Sequence, residues 1–137
     1  MKNTCIFCKT QSNEFNSNRL VFQDDNVVIF LSNQPTKPGH VLVIPKDHYE
    51  TIWDTPDEIL QRLILYVKKL AFVVKEVTNA DGINIGVNNG EAAGQKINHV
   101  HFHIIPRYIN DGLELMPSGD ISDEDLTKYT ELIRQYF

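Results

Sequence analysis

The stretch Asn98-His99-Val100-His101-Phe102-His103-Ile104-Ile105-Pro106-Arg107 sets three histidines at alternate positions, with Val100, Phe102 and Ile104 alternating against them. Successive side chains of a strand point to opposite faces, so the three imidazoles share one face at roughly 6.6 Å spacing while the apolar set lines the other. One face reads as core and the other as chemistry. Neutral imidazole can bind a metal, shuttle protons or act as a nitrogen nucleophile near pH 7, and the rank alone leaves all three open.

Outward from this strand, the remaining elements punctuate clearly. Leu20-Val21-Phe22 and Val27-Val28-Ile29-Phe30-Leu31 flank the turn formers Asp24-Asp25-Asn26, which predicts a hairpin. The loop Gln34-Pro35-Thr36-Lys37-Pro38-Gly39 leads into the β-branched strand His40-Val41-Leu42-Val43-Ile44, stopped by Pro45, with His40 at the junction. Thr55-Pro56-Asp57-Glu58 offers an N-cap, a proline for the first helical position and a capping-box acid. It opens a run with Leu60, Leu63, Ile64, Val67, Leu70, Ala71 and Val74 at helical spacing. Asp81-Gly82 turns into the strand Ile83-Asn84-Ile85-Gly86-Val87, and Ser122-Asp123-Glu124-Asp125 starts a C-terminal helix carrying Leu126, Tyr129, Leu132 and Ile133. Residues 110–119, with Leu113, Leu115 and Met116, read as the connection to that helix. The order predicts an α+β fold, an antiparallel sheet packed with one long central helix and a C-terminal helix. The βαβ alternation of a dinucleotide fold is absent.

The chain has 137 residues, 42% hydrophobic and 23% charged, which suits a single domain over residues 1–137. The start Met1-Lys2-Asn3-Thr4-Cys5 has neither an apolar stretch nor a small-residue cleavage site, and no run approaches a membrane span, so a cytoplasmic protein is expected. A net charge of −5 argues against a broad nucleic-acid surface. Any phosphate site is then a local arrangement of donors, which favours a small ligand over a polymer.

Two further motifs carry chemistry. Asn88-Asn89-Gly90-Glu91-Ala92-Ala93-Gly94-Gln95-Lys96 is a polar loop entering the histidine strand, where glycine and asparagine permit positive φ and backbone N–H groups can converge on an anion. Cys5 and Cys8 are the only cysteines. Their Cys-x-x-Cys spacing reads as zinc, redox or incidental; redox expects a βαβ context that is missing, and zinc needs two further nitrogen or sulfur ligands.

His99-Val100-His101-Phe102-His103-Ile104-Ile105 resembles the His-φ-His-φ-His-φ-φ pattern, φ being apolar, of the histidine-triad superfamily of nucleotidyl hydrolases and transferases. The resemblance extends over Cys5-Ile6-Phe7-Cys8, Pro38-Gly39-His40-Val41-Leu42-Val43-Ile44-Pro45-Lys46-Asp47-His48, the loop from Asn88 to Gln95, and Pro106-Arg107. It is most similar to the bacterial zinc-containing branch. Resemblance implies that His101 is the nucleophile toward the α-phosphorus of a nucleoside phosphoramidate or dinucleoside polyphosphate, releasing a nucleoside monophosphate through a covalent nucleotidyl-histidine. His103 and the Gln95 amide would donate to phosphate oxygens, and His40 would complete the histidine network. Ser32, Asn88, Gly94, Gln95 and Lys96 would meet the substrate. Cys5, Cys8, His48 and His99 would hold a structural zinc, and the protein would be a homodimer.

Departures from the family pattern are Ser32, where many relatives carry an acidic or amide side chain for the ribose, Lys96 in place of serine or threonine, and Asn98 before the triad. Two other readings remain: a three-histidine metal-dependent enzyme, which lacks the glutamate a cupin-like site would want, and a nucleotide-binding module without turnover.

Overall fold

The computed structural model describes residues 4–9, 18–114 and 116–137. The opening residues Met1, Lys2 and Asn3 and the tail residue Leu115 lie outside them. The short helix α1 (Ile6–Lys9) precedes strands β1 (Leu20–Gln23), β2 (Val27–Leu31) and β3 (Val41–Pro45). The long helix α2 (Asp57–Thr78), β4 (Gly82–Val87), β5 (Phe102–Arg107) and α3 (Asp123–Arg134) follow. The strands form one antiparallel sheet in the order β1-β2-β3-β5-β4.

The β1–β2 hairpin closes where the turn residues place it. The Asp24 carboxylate accepts from the backbone N–H of Asn26 and of Val27, both at 2.8 Å, and its other oxygen accepts from the Tyr66 hydroxyl on α2 at 2.7 Å. One side chain thus ties the turn to the helix.

Strand alternation divides the apolar residues between two faces. Val27, Ile29, Val41, Val43, Phe102 and Ile104 pack against Leu63, Val67, Leu70 and Val74 of α2. Each of these helix side chains contributes roughly 1.5–3 kcal/mol by leaving water. Val28, Phe30, Leu42 and Ile44 face the other way and enclose Phe7 of α1. Leu42 pairs with His103, so the register that buries Phe102 and Ile104 under α2 turns His103 toward the Phe7 side.

Three local expectations change. Thr55 does not cap α2: its hydroxyl donates to the Thr51 carbonyl at 2.8 Å, closing the preceding turn, and the cap position falls to Pro56 with no side-chain bond. The capping-box acid therefore has no partner hydroxyl to answer. The paired strand begins only at Phe102, because the chain ahead of it leaves β3 and Val100 N–H donates to the Tyr49 carbonyl at 2.7 Å. His99 and His101 sit in this run-in, and the rings of His101 and His103 are tipped together with centroids 4.8 Å apart, closer than a flat rank would hold them. Ser122 does cap α3, accepting from Asp125 N–H at 3.1 Å, yet Leu126, Tyr129, Leu132 and Ile133 all remain exposed. On α2, Leu65, Phe72 and Val77 are likewise exposed, opposite the core stripe.

Candidate active site and metal centre

His99 is fully buried and faces two ways. Its Nε2–H donates to the Pro45 carbonyl at 2.8 Å, which leaves the lone pair on Nδ1. That atom lies 3.6 Å from Cys5 Sγ and 3.5 Å from Cys8 Sγ, and His48 Nδ1 lies 3.3 Å from Cys8 Sγ. All four ligand atoms fall within 4.8 Å of one another. A zinc tetrahedron with sulfur and nitrogen ligands has edges of about 3.3–3.8 Å, so the three measured separations fit. The donor set is the two-thiolate, two-imidazole set that zinc prefers, and four protein ligands fill the tetrahedron. Burial holds His99 down to about 4, with the Pro45 hydrogen bond opposing, so the ring is neutral and able to ligate. Lys9 N–H donates to the Cys5 carbonyl at 3.1 Å, and this single helical turn brings the cysteines to one side.

The His99 carbonyl accepts from Nδ1 of His101 at 2.7 Å. A carbonyl only accepts, so the His101 proton is on Nδ1 and the lone pair on Nε2. Among the described residues no hydrogen-bond partner takes Nε2. Burial pushes His101 below its ordinary value of 6.5, against the His99 hydrogen bond, which keeps the ring neutral and nucleophilic.

His40 is fixed by the same logic. Thr36 N–H donates to His40 Nδ1 at 3.1 Å, so the His40 proton sits on Nε2, 2.9 Å from His103 Nδ1. His103 Nδ1 must then accept, and the His103 proton sits on Nε2. Burial, then the repulsion a second charged imidazole at His101 would meet, lowers His40; burial, then the same repulsion from His101 and His40, lowers His103 to about 4. A neutral pair results, presenting one N–H.

His40 and His103 line a groove of about 410 Å³ together with Thr36, Asn84, Asn88 and Gly86. Ile85, Ile105 and Met116 supply apolar surface. Larger hollows of about 620 Å³ run along the outsides of α2 and α3 but are bounded by surface side chains such as Arg62, Lys69 and Glu131. This groove is bounded by His40 and His103, and His101 lies behind His103, its ring centroid 4.8 Å away, without lining the groove itself.

Other expected contacts are placed differently. Gln95 is buried, its amide N–H groups donating to the carbonyls of Glu50 at 2.6 Å and Ile97 at 3.1 Å, while its oxygen accepts from Gly90 N–H at 2.8 Å. Both amide protons are thereby engaged, and Gln95 braces the loop from within. Gly94 takes φ +91° and its carbonyl meets the Asn88 amide at 3.5 Å. Lys96 is exposed beside Cys5 and His48 and does not line the groove; Ser32 Oγ accepts from Gln34 N–H at 3.3 Å and also lies off it. The three histidines do not converge on one metal position, since His99 turns to the cysteines. Sequence reasoning missed Thr36, whose backbone N–H sets the His40 tautomer, and Asn84, held by Arg107, which also makes a bidentate pair with Asp111 at 2.7 Å. A backbone donor leaves no mark in side-chain identity; the Arg107 and Asp111 spacing of four was visible.

Comparison with known proteins agrees with this geometry. The family model of the HIT domain matches residues 13–110. An uncharacterized HIT-like protein of Methanocaldococcus jannaschii is 45% identical over 130 residues, covering 95% of this chain and 98% of its own. An adenosine 5′-monophosphoramidase of Saccharomyces cerevisiae is 42% identical over 103 residues, covering 75% of this chain and 62% of its own. A Zn-bound histidine triad family protein from Mycobacterium smegmatis superposes with a TM-score of 0.76 at 33% identity, covering 88% of this chain and 86% of that one.

Proposed function

The chain belongs to the HIT domain family, and from that premise we propose that it is a nucleotidyl hydrolase cleaving nucleoside phosphoramidates or dinucleoside polyphosphates. The observation that carries the reading is the fixed tautomer of His101, with Nδ1–H on the His99 carbonyl and a lone pair on Nε2. His101 Nε2 attacks the α-phosphorus and the bond from phosphorus to the leaving group breaks, giving a nucleotidyl-histidine. Water then breaks the phosphorus–nitrogen bond, releases the nucleoside monophosphate and returns His101 neutral. His103 Nε2–H, oriented by His40, donates to a phosphate oxygen as its charge grows. Asn88 would border the phosphate end, its amide 3.5 Å from the Gly94 carbonyl, and the apolar wall of Ile85 and Ile105 suits a nucleobase. The yeast phosphoramidase relative supports this substrate class. Ser32 and Lys96 stand outside the groove, which leaves ribose and phosphate recognition to its lining residues.

Cys5, Cys8, His48 and His99 would hold a zinc ion, which would supply a crosslink between the N-terminus and the approach to β5 and no reacting atom. The M. smegmatis structure supports zinc. Among the described residues no helix is long and apolar enough to cross a membrane, and the proposed setting is cytoplasmic. The exposed apolar face of α2 supports a homodimer, which light scattering after size exclusion tests.

The decisive experiment incubates wild type and His101→Asn with adenosine 5′-phosphoramidate and a diadenosine polyphosphate, with and without EDTA. Hydrolysis that persists in EDTA and vanishes in the variant is expected. Inactivity of both proteins on both substrates overturns the reading in favour of a binding module. Loss of activity only with EDTA overturns it in favour of a catalytic metal.

A further inference from the structure

The geometry points to Phe7 as a positioning residue for His101, a strut through which the short cysteine helix sets the direction of the nucleophile. Phe7 lies between Cys5 and Cys8 in sequence and is 5% exposed. Its ring meets His101 edge to face, with centroids 5.2 Å apart and planes at 81°. The same ring meets His99 at 5.9 Å and 76°, and Phe30 of β2 backs it at 5.4 Å and 68°.

A single hydrogen bond from Nδ1 to a carbonyl holds the proton on His101 Nδ1 only while the ring stays in line with that carbonyl, and alone it leaves the ring free to swing out of line. Lateral contacts must remove the swing. On one flank stands His103 at 4.8 Å; Phe7 provides a second, rigid contact nearly perpendicular to the His101 ring. The strut is anchored at both ends of its helix, because Cys5 and Cys8 face the His48 and His99 ligand atoms. Whatever fixes those two thiols fixes Phe7, and through it the aim of Nε2. The competing explanation is that Phe7 merely fills the apolar cluster of Val28, Phe30, Leu42 and Ile44.

The inference rests on His101 acting as the nucleophile, and the test separates the two. Phe7→Leu and Phe7→Met remove the ring while keeping apolar bulk, Phe7→Tyr keeps the ring, and Ile44→Val perturbs the same cluster away from the histidines. For each protein, zinc content, thermal midpoint, kcat and KM for adenosine 5′-phosphoramidate, and the His101 tautomer from ¹⁵N-imidazole NMR are measured. The ringless variants are expected to retain zinc and to lose about 10- to 100-fold in kcat, since a misplaced reacting group costs on that scale. Their KM stays within threefold, and the single Nδ1–H signature of His101 gives way to a mixture. Phe7→Tyr restores kcat to within threefold, and Ile44→Val lowers the midpoint while leaving kcat and the tautomer unchanged. Ringless variants with wild-type kcat and a pure tautomer overturn the proposal, as does an Ile44→Val variant that loses kcat in parallel. If wild type turns over no nucleotide, the functional reading fails, while the tautomer comparison still decides the role of Phe7.

Discussion

His101 Nδ1 lies 2.7 Å from the carbonyl oxygen of His99, while the ring of His99 itself faces the two cysteines. One residue therefore serves the proposed nucleophile with its backbone and the proposed metal cluster with its side chain. Removing the nucleophile should leave this framework standing. His101→Asn is expected to lower hydrolysis by about 10³-fold or more, with nucleotide affinity changed by less than tenfold. Steady-state kinetics and calorimetric titration with a nucleoside monophosphate check both halves.

Acid should unfold the protein earlier than its carboxylates require. His40, His101 and His103 are all held below 6.5 by burial, so the unfolded chain binds more protons in acid. Their contribution to stability is fully present above pH 6.5 and is lost as pH falls from 6.5 toward the folded value, about 4 for His103. Each such histidine steepens the decline by at most about 1.4 kcal/mol per pH unit. Urea midpoints measured across this window should fall with pH, and His103→Asn should make the fall shallower.

Cys5→Ser, Cys8→Ser and their double variant should each lose the metal, because a hydroxyl is a poor replacement for a thiolate. Loss of a structural ion removes several kcal/mol, about 10 °C or more in thermal midpoint for a chain of this size. Metal analysis and calorimetry check this. A double variant that binds one zinc per chain with an unchanged midpoint would remove these cysteines from the site.

Gly39 precedes His40 with φ +94°, and a Cβ there would come within 2.7 Å of Thr78 Cγ2 at the end of α2. Gly39→Ala is expected to cost about 1–3 kcal/mol and to lower kcat by displacing His40. Adding Thr78→Ser removes the close contact but not the strained φ, so the double variant should recover part of the stability and not all of it. Denaturant unfolding of the three proteins measures the split.

The fold was legible because its elements carry redundant local signals. Asp24 marks its hairpin by turn chemistry and by the alternation on either side, and the stripe from Leu63 to Val74 marks α2 by period. Thr55 reads as a cap in the sequence because two local partners compete for one hydroxyl, and only the backbone trace reveals that Thr51 wins. The four-residue cluster was legible only in part: Cys-x-x-Cys announces two candidate ligands, whereas His48 and His99 arrive from residues 40 and 91 positions away from Cys8. Gln95 shows the limit most clearly. Its amide could serve substrate or scaffold equally well, and its direction depends on where Glu50 and Ile97 place their carbonyls.

The line of hydrogen bonds from Thr36 through His40 to His103 has a dead end. A backbone amide does not surrender its proton near neutral pH, so nothing upstream can refill the two imidazoles if His103 gives its proton away. The pair can lean on a phosphate oxygen, but it holds no reservoir from which to acidify a departing group. Under the proposed function, a leaving group at this site would bring its own proton, as an amine already protonated on nitrogen does, or depart as an anion stable enough to need none.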